Sequence, residues 1–299
     1  MNKNLLKAGI GLIVGGSLLI TSTVLSMAGG PSGYEALKSA VKNSKTIENA
    51  TLNVSGSVAD NDKELIKVKS TFKADEKQHS YSGVISLKSD KSNKAYTLFG
   101  NEEQMIFKDD ASQVYNKVEC NMEAKGKRFH KRINSYEQKQ NPQVEKIGEK
   151  ILDTLVGDLK KKVELKNLDN GEKKISIALD KNEIPSLVNL MLSVKGQNEC
   201  DKADKMHEIL GINIEDYKAP ELVSDIKAEK VDAQIVIDKN NIIKELDAEF
   251  DITGNDAENK AHNQDLKVKI DVSDINSTKV DSIKLDGKNV KTITREDME

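Results

Sequence analysis

The sequence predicts an α+β fold in which a curved antiparallel sheet, a half-barrel, wraps around central helices. Apolar and polar residues alternate over residues 51–118 and again over residues 231–272, which is typical of half-buried antiparallel strands. Between these stretches, residues 144–159 carry an apolar stripe at helical spacing. Strands and helices are therefore segregated along the chain, as in α+β domains.

An uncharged apolar segment, Ala8–Ala28, follows Lys3 and Lys7 near the start of the chain. It is long enough to cross a bilayer as a helix, and the two lysines favour a cytoplasmic N-terminus. Small residues at its end fit signal-peptidase cleavage after Ala28, whereas the apolar run exceeds the usual core of a signal peptide. We therefore expect either a retained transmembrane anchor or a cleaved signal peptide. In the first case residues 1–7 form a cytoplasmic tip and the rest of the protein is extracytoplasmic.

A spacer and a helix are predicted to connect this segment to the first meander. Residues 29–33 (GGPSG) form the spacer, and apolar positions at helical spacing predict a helix over Tyr34–Lys45. The two-residue period then predicts six short strands separated by turns rich in Asp, Asn and Lys. Sequential hairpins of this kind form an antiparallel meander with one buried face.

The central part of the chain predicts helices around one hairpin. Asn141-Pro142 provides an N-cap and a first-turn proline for a helix that reaches about Lys162. Asp169-Asn170-Gly171 predicts a hairpin turn between two strand-like segments. Further helices are predicted over Pro185–Gly196 and Asp201–Leu210.

The second meander is predicted to begin at Lys230 and to contain three long strands that end near Val272. Residues 291–299 lack periodicity and are predicted to form a disordered tail. The chain between the spacer and this tail, residues 34–290, is thus expected to form one extracytoplasmic domain.

Four segments carry a resemblance to known proteins: SGYEALKSAVKNSKT, ISIALDKNEIPSLVNLM, KELDAEFDITGND and NQDLKVKIDVSDIN. They are similar to uncharacterised exported proteins of Firmicutes, a family that brings no known activity. The order helix, meander, helices, meander resembles the superfamily of the outer-membrane lipoprotein carrier (LolA-like) and the mycobacterial lipoproteins of LppX type. Those proteins are half-barrels closed by helices over an apolar cavity. The resemblance therefore implies a role in binding lipids or lipoproteins.

No catalytic motif occurs in the sequence, and we expect a non-enzymatic protein without a cofactor or a metal. The four histidines, His79, His130, His207 and His262, have no acid or nucleophile at a recognisable spacing. The acidic turns Asp60-Asn61-Asp62, Asp109-Asp110 and Asp169-Asn170 could hold Ca²⁺, but hairpin turns favour these residues for their own geometry. The balance of 46 basic and 49 acidic residues gives no argument for a nucleic-acid partner.

Two further features have open interpretations. Cys120 and Cys200 could form a disulfide in an extracytoplasmic chain, and the alternative is two free thiols. Residues 125–132 carry a basic cluster that could bind anionic lipid head groups or wall phosphates, and the alternative is a solvated loop. The cluster consists of Lys125, Lys127, Arg128, Lys131 and Arg132.

An apolar cavity between sheet and helices is the candidate ligand site. Its predicted wall consists of Phe72, Ile85, Phe250 and Val268 on the sheet and Ile151, Leu155, Leu187 and Met191 on the helices. The competing interpretation is that the helices fill the concave face as core. The sequence thus predicts a membrane-tethered extracytoplasmic protein that binds a lipid, another amphiphilic ligand or an envelope partner. The alternative is a scaffold of the cell envelope that binds no ligand.

Overall fold

Most of the residues that the structure describes belong to strands. The computed structural model describes residues 31–44, 46–119, 163–184 and 211–293. Helix α1 spans Pro31–Ser44, and a short 3-10 helix spans Ile214–Tyr217. The strands are β1 (Asn49–Asp60), β2 (Lys63–Asp75), β3 (Ser80–Ser89), β4 (Asn93–Gly100), β5 (Gln104–Asp109), β6 (Tyr115–Glu119), β7 (Val163–Asn167), β8 (Lys173–Asp180), β9 (Ser224–Ile237), β10 (Ile243–Asn255), β11 (Ala261–Ser273) and β12 (Val290–Ile293).

All of these strands lie in one open 12-stranded sheet with the order β12-β6-β5-β4-β3-β2-β1-β11-β10-β9-β8-β7. Neighbouring strands are antiparallel, except that β12 runs parallel to β6. Strands β1–β6 form one meander and β7–β11 form another. The two meanders meet where β1 pairs with β11, from Thr51 opposite Ser273 to Asp60 opposite Gln264.

The predicted α+β architecture with central helices is wrong. Within the described ranges, both meanders join directly in one sheet, and α1 is the single α-helix. Alternation within each strand indicates one buried face, but it contains no information about which distant strands pair. The β1–β11 pairing, which unites the two meanders, therefore had no signal in the sequence pattern. The helices predicted over residues 141–162, 185–196 and 201–210 lie outside the described residues.

The predicted strands and hairpins of both meanders are confirmed. Only Asn61 and Asp62 connect β1 to β2, and both have positive φ angles, 49° and 66°. Two consecutive residues of this kind form a type I′ turn, the favoured connection for a tight hairpin. The predicted turn at Asp169-Asn170-Gly171 joins β7 to β8, with Gly171 at a φ of 80°. A side chain at Gly171 would be strained in this conformation.

Helix α1 begins at Pro31 rather than at Tyr34, so part of the predicted spacer is helical. Proline fits the first turn of a helix because the amide hydrogen that it lacks has no partner there. Gly33 lies close to β7, and a Cβ atom at this position would be 3.2 Å from Cγ1 of Val163. Leu37 is 1% exposed in the same core cluster as residues of β8–β11.

The connection between β11 and β12 runs along the polar face of the sheet. The carboxylate of Asp281 lies 2.9 Å from Nζ of Lys73, and its backbone N–H donates to Oγ of Ser82. Thr278 reaches the hydroxyl of Thr51 at 3.0 Å. This connection leads the chain from the middle of the sheet to β12 at its edge. Residues 291–293, predicted to belong to the disordered tail, are therefore part of the sheet.

Two glycines allow aromatic rings to lie flat on the sheet. Gly83 is the register partner of Phe72, and Gly100 is the partner of Tyr81. A Cβ atom at Gly100 would lie 2.1 Å from Cζ of Tyr81, and one at Gly83 would lie 2.7 Å from the carbonyl oxygen of Thr71. The two rings stack on each other with their centroids 5.6 Å apart. Glycine thus makes room for an aromatic pair on this face.

We expect Gly83→Ala to lower the free energy of unfolding by about 1–3 kcal/mol, because the new methyl group would overlap backbone that cannot easily move. Val84→Thr is the matched control, since Val84 is 45% exposed on the opposite face. It should change the free energy by less than about 0.5 kcal/mol. Urea denaturation followed by circular dichroism measures both. Equal midpoints for Gly83→Ala and the wild type would show that the sheet accommodates a Cβ atom there.

No helix in the described part of the chain is long and apolar enough to span a membrane. The predicted anchor or signal peptide, Ala8–Ala28, and the predicted tip, residues 1–7, lie outside that part. The extracytoplasmic location therefore stays a prediction.

Candidate functional site

One face of the sheet is apolar from β7 to β4. A single row of register partners crosses these strands and contains only one small polar residue, a serine. The row consists of Leu165, Ile175, Ile235, Leu246, Ile270, Val54, Ser70, Ile85 and Tyr96. The opposite face carries cross-strand ion pairs such as Lys267–Glu249 at 2.8 Å and Lys269–Glu245 at 3.0 Å. The apolar face is the candidate functional site, because some of its side chains keep partial solvent access while others are fully buried.

Helix α1 covers the part of the apolar face near β7–β10. Leu37 and Ala40 of the helix are 1% and 0% exposed. They share a buried cluster with Ile175 and Ile177 of β8 and Ile237 of β9. This part of the face is therefore ordinary close-packed core.

A non-strand segment, residues 211–223, covers another part of the face, and we call it the arm. Its residues Ile212 and Tyr217 are buried together with Val58, Ile66 and other residues of β1–β4. The hydroxyl of Tyr217 donates a hydrogen bond to Oγ of Ser92, in the turn between β3 and β4, at 3.0 Å. Burial raises the pKa of Tyr217, so this hydroxyl keeps its proton at neutral pH.

The C-terminal part of the arm is attached to the β10–β11 hairpin. Nε2 of Gln264 donates to the carbonyl oxygen of Pro220 at 2.6 Å. Leu222 lies directly on Gly254, where a Cβ atom would be 3.2 Å from Cβ of Leu222. The arm is thus held at Tyr217 on one side of the apolar face and at Pro220–Leu222 on the other.

A strip of half-buried side chains lies on the same face beside these covered areas. The strip consists of Leu52, Val54, Phe72, Ile85, Phe250, Leu266 and Val272. Six of these side chains pack against the buried clusters, while all seven retain partial solvent access. Fully buried residues such as Val68 and Ile237, at 1% and 0% exposure, contrast with them. These seven side chains therefore combine contact with the core and partial access to solvent.

The structure places the four sheet residues of the predicted cavity wall on this one face. Phe72, Ile85 and Phe250 belong to the strip, and Val268 is 5% exposed within the core. Their common orientation follows from the two-residue period and from the register between strands. Ligand binding by these residues stays a prediction. Their predicted helical counterparts, Ile151, Leu155, Leu187 and Met191, lie outside the described residues.

Two other groups of predicted site residues also lie outside the described residues. These are the basic cluster Lys125, Lys127, Arg128, Lys131 and Arg132, and the cysteines Cys120 and Cys200. Contact with an anionic surface and a disulfide bond therefore stay predictions.

A buried histidine between two carboxylates is a feature that the sequence analysis missed. Nδ1 of His262 lies 2.9 Å from Oδ2 of Asp60, and Nε2 lies 3.1 Å from Oδ2 of Asp256. The imidazole is 3% exposed. Hydrogen bonds to Asp60 and then to Asp256 raise the pKa of His262 above the ordinary 6.5. The pKa of Asp256 is lowered, chiefly by the backbone N–H of Lys260 and next by His262.

The chemistry of this cluster is limited by its own hydrogen bonds. Both ring nitrogens of His262 face a carboxylate, so neither is available to bind a metal or to take a proton from a substrate. No signal within a short window could reveal the cluster, because Asp60 and His262 are 202 positions apart in the chain. Knowledge of the β1–β11 register would have been needed to find it.

A second pair of acids, Asp251 and Asp265, occupies the polar face. The two residues are register partners in β10 and β11. Burial, and then the hydrogen bond with Asp265, raises the pKa of Asp251. The negative charge of Asp265 acts on the pKa of Asp251 in the same direction.

The acidic turns bond their own backbone or neighbouring side chains. Oδ1 of Asp109 accepts the N–H of Ala111 at 2.8 Å, and Asp60 contacts His262. In the ranges that the structure describes, no group of three or more His, Cys, Asp or Glu side chains could hold a metal ion.

Comparison with known proteins gives weak similarities. No protein-family model and no curated protein matches the chain. An uncharacterized conserved protein from Thermus thermophilus is 9% identical over 88% of this chain and 99% of its own, with a TM-score of 0.29. A lipovitellin structure that describes lipid–protein interactions is 9% identical over 79% of this chain and 26% of its own, with a TM-score of 0.25. A β-barrel-like protein of the domain of unknown function DUF1849 from Brucella abortus is 8% identical over 76% of this chain and 97% of its own, with a TM-score of 0.18. Similarities at this level carry no argument about the function of the chain.

Proposed function

We propose that this protein binds an elongated apolar or amphiphilic ligand, such as the acyl chain of a lipid, on the apolar face of its sheet. The observation that carries the proposal is the half-buried strip around Phe72 and Ile85. Parts of the same face are closed completely by α1 and by the arm, which shows how the chain buries apolar side chains where it needs core. Side chains left half-buried on that face have contact area to offer to another molecule.

The composition of the strip favours a hydrocarbon ligand. Its side chains are aliphatic or phenyl groups without hydrogen-bonding atoms. Such a surface gains about 25 cal/mol for each Å² of apolar area removed from water, or about 0.8 kcal/mol for each methylene group of an acyl chain. A polar head group would have to lie outside the strip, because burial of a polar group without a partner is costly.

We also propose that the protein lies on the outer side of a membrane and that it is a binding protein. A membrane tether or a signal at Ala8–Ala28 would bring the sheet to the outer side of a membrane, next to a supply of lipids. The chain would act there as a binding protein rather than as an enzyme. The alternative is a scaffold of the cell envelope whose apolar face serves only as core. The following experiment distinguishes the binding protein from the scaffold.

We expect a photoactivatable fatty acid to become attached to the apolar face of the sheet in preference to its polar face. The full-length protein is mixed with phosphatidylcholine vesicles that contain this probe, illuminated and digested. The labelled residues are then identified by tandem mass spectrometry, because each strand peptide carries residues of both faces. Label should occur in the peptides of β1–β3 and β10–β11 that carry the strip. Ile85→Asn should reduce this labelling about tenfold, the effect of losing roughly 1.4 kcal/mol of apolar contact.

Val84→Asn is the matched control for that experiment, because Val84 is the next residue in β3 and lies on the polar face. It should leave the labelling unchanged. Thermal denaturation of both variants verifies that they are folded. Folded wild-type protein without label on the strip peptides would reject the binding proposal and support the scaffold. Label confined to the peptide of Ala8–Ala28 would lead to the same conclusion, since it reports only membrane contact.

A further inference from the structure

The cluster of Asp60, His262 and Asp256 joins the ends of two hairpins. Asp60 is the last residue of β1, and Asp256 is the first residue of the loop between β10 and β11. Oδ1 of Asp256 accepts the backbone N–H groups of Glu258 and Lys260, each at 2.9 Å, and its Oδ2 is left for His262. The imidazole therefore connects the turn of one meander to the turn of the other.

The same cluster is adjacent to the attachment of the arm. Gly254, on which Leu222 lies, is the register partner of His262. Gln264, which binds the carbonyl oxygen of Pro220, is the next residue of β11 on the same face as His262. The contact with Pro220 is made by the β11 segment that contains His262, and Gly254 is paired with that segment. A displacement of His262 would therefore loosen the arm.

Among the residues that the structure describes, the charged groups that face His262 come from two elements. Asp60 faces it from β1, and Asp256 faces it from the β10–β11 loop. From β10, its register partner is Gly254, which carries no charge. A cationic imidazole donates one hydrogen bond to each carboxylate. A neutral imidazole donates only one, so its second nitrogen then presents a lone pair to a carboxylate.

We propose that Asp60, His262 and Asp256 form a pH-sensitive latch that keeps the arm on the apolar face while His262 is protonated and releases it when His262 is neutral. The release of ligand-binding surface rests on the proposed function, whereas the movement of the arm does not. Release of the arm uncovers the apolar cluster around Val58 and Ile66, which borders the strip. The latch thus regulates by pH how much of the apolar face is accessible.

The direction of the pH dependence follows from the hydrogen bonds of the cluster. The pKa of folded His262 lies above the 6.5 of a free histidine because of Asp60 and Asp256. The latch therefore contributes its full stabilisation below pH 6.5 and loses it as the pH rises through the raised pKa. The arm is closed under mildly acidic conditions and opens under alkaline ones.

Hydrogen exchange of the arm tests the latch. The full-length protein in phosphatidylcholine vesicles is exchanged at intervals from about pH 6 to about pH 9, and the protection of peptides within residues 211–223 is corrected for the intrinsic rate. Protection should fall about tenfold or more across this range, the size expected when a charge-assisted hydrogen bond is lost from a buried site. Peptides of β7 and β8, at the far edge of the sheet from the cluster, should keep their protection.

Asp256→Asn is the decisive variant. Asparagine keeps the oxygen that binds the loop N–H groups and offers an N–H to Nε2 of a neutral His262, while Nδ1–H still donates to Asp60. Arm protection in this variant should be independent of pH. Asp60→Asn is a second variant with the same expected result, because its side-chain N–H can donate to Nδ1 of a neutral His262. His79→Gln, at a histidine whose side chain is 54% exposed, should retain the wild-type profile.

The outcomes separate the latch from the proposed function. Constant arm protection in the wild type, or a fall that persists in Asp256→Asn and Asp60→Asn, would overturn the latch. Labelling by the photoactivatable fatty acid is measured over the same pH range. Arm opening without any labelling of the strip supports the latch and rejects the binding proposal. Strong labelling at every pH with constant arm protection rejects the latch and retains the binding proposal.

Discussion

Tyr217→Ala is expected to lower the free energy of unfolding by about 3–5 kcal/mol, the usual cost of truncating a buried aromatic side chain. Tyr217 is 1% exposed and is the largest fully buried side chain of the described core. It contributes its ring to the cluster of Val58, Ile66 and Val68, so its loss leaves a cavity beneath the arm. The variant should also bind the dye ANS, because a detached arm uncovers apolar surface.

Tyr217→Phe separates packing from hydrogen bonding in this experiment. It removes only the hydroxyl that donates to Ser92, so the free energy of unfolding should fall by about 1 kcal/mol. Urea denaturation of the three proteins measures the difference between the two variants. If Tyr217→Ala costs no more than Tyr217→Phe, the ring does not hold the arm, and the arm must be attached mainly through Pro220 and Leu222.

Leu37→Ala is the second change for which we expect a large effect. It should lower the free energy of unfolding by about 2–5 kcal/mol. Leu37 is 1% exposed in the cluster that α1 forms with β8–β11. Leu37 and Ala40 are the helix side chains that the structure describes as fully buried in that cluster, so truncation of Leu37 weakens the docking of the helix. Protease sensitivity near residues 31–44 should rise together with the loss of stability.

Ser39→Ala is the control within the same helix. Ser39 is half-buried, and alanine has a higher helix propensity, so stability should stay within about 0.5 kcal/mol of the wild type. Differential scanning calorimetry compares the two variants. A melting temperature of Leu37→Ala equal to that of Ser39→Ala would mean that α1 contributes little to the core.

The strands were predictable because their signal is local. In β1 and β2 the alternation of apolar and polar residues, together with the tight turn at Asn61-Asp62, fixes both the strands and their pairing. The shared orientation of Phe72 and Ile85 follows from the same period together with the register of the β2–β3 hairpin. These features need only a few neighbouring residues to be recognised.

The global arrangement was not predictable in the same way. The β1–β11 pairing brings Asp60 next to His262, and only this pairing turns two isolated polar residues into a buried cluster. The arm was missed for a related reason, since residues 211–223 lack periodicity although Tyr217 is buried. Its burial depends on the surface that it crosses rather than on its own sequence pattern.

The β1–β11 pairing also has a consequence for the order of folding. During synthesis, β1–β6 emerge early, but β1 must wait for residues 261–273 before its second edge is paired. Until then a strand of 12 residues exposes unpaired backbone groups, which can join with other chains. Pairing between such distant segments is slow, because the closure of a long loop must precede any contact. Completion of the sheet is therefore a late step in folding. The risk of aggregation is greatest in the partially folded chain, in which β1 has not yet paired with β11.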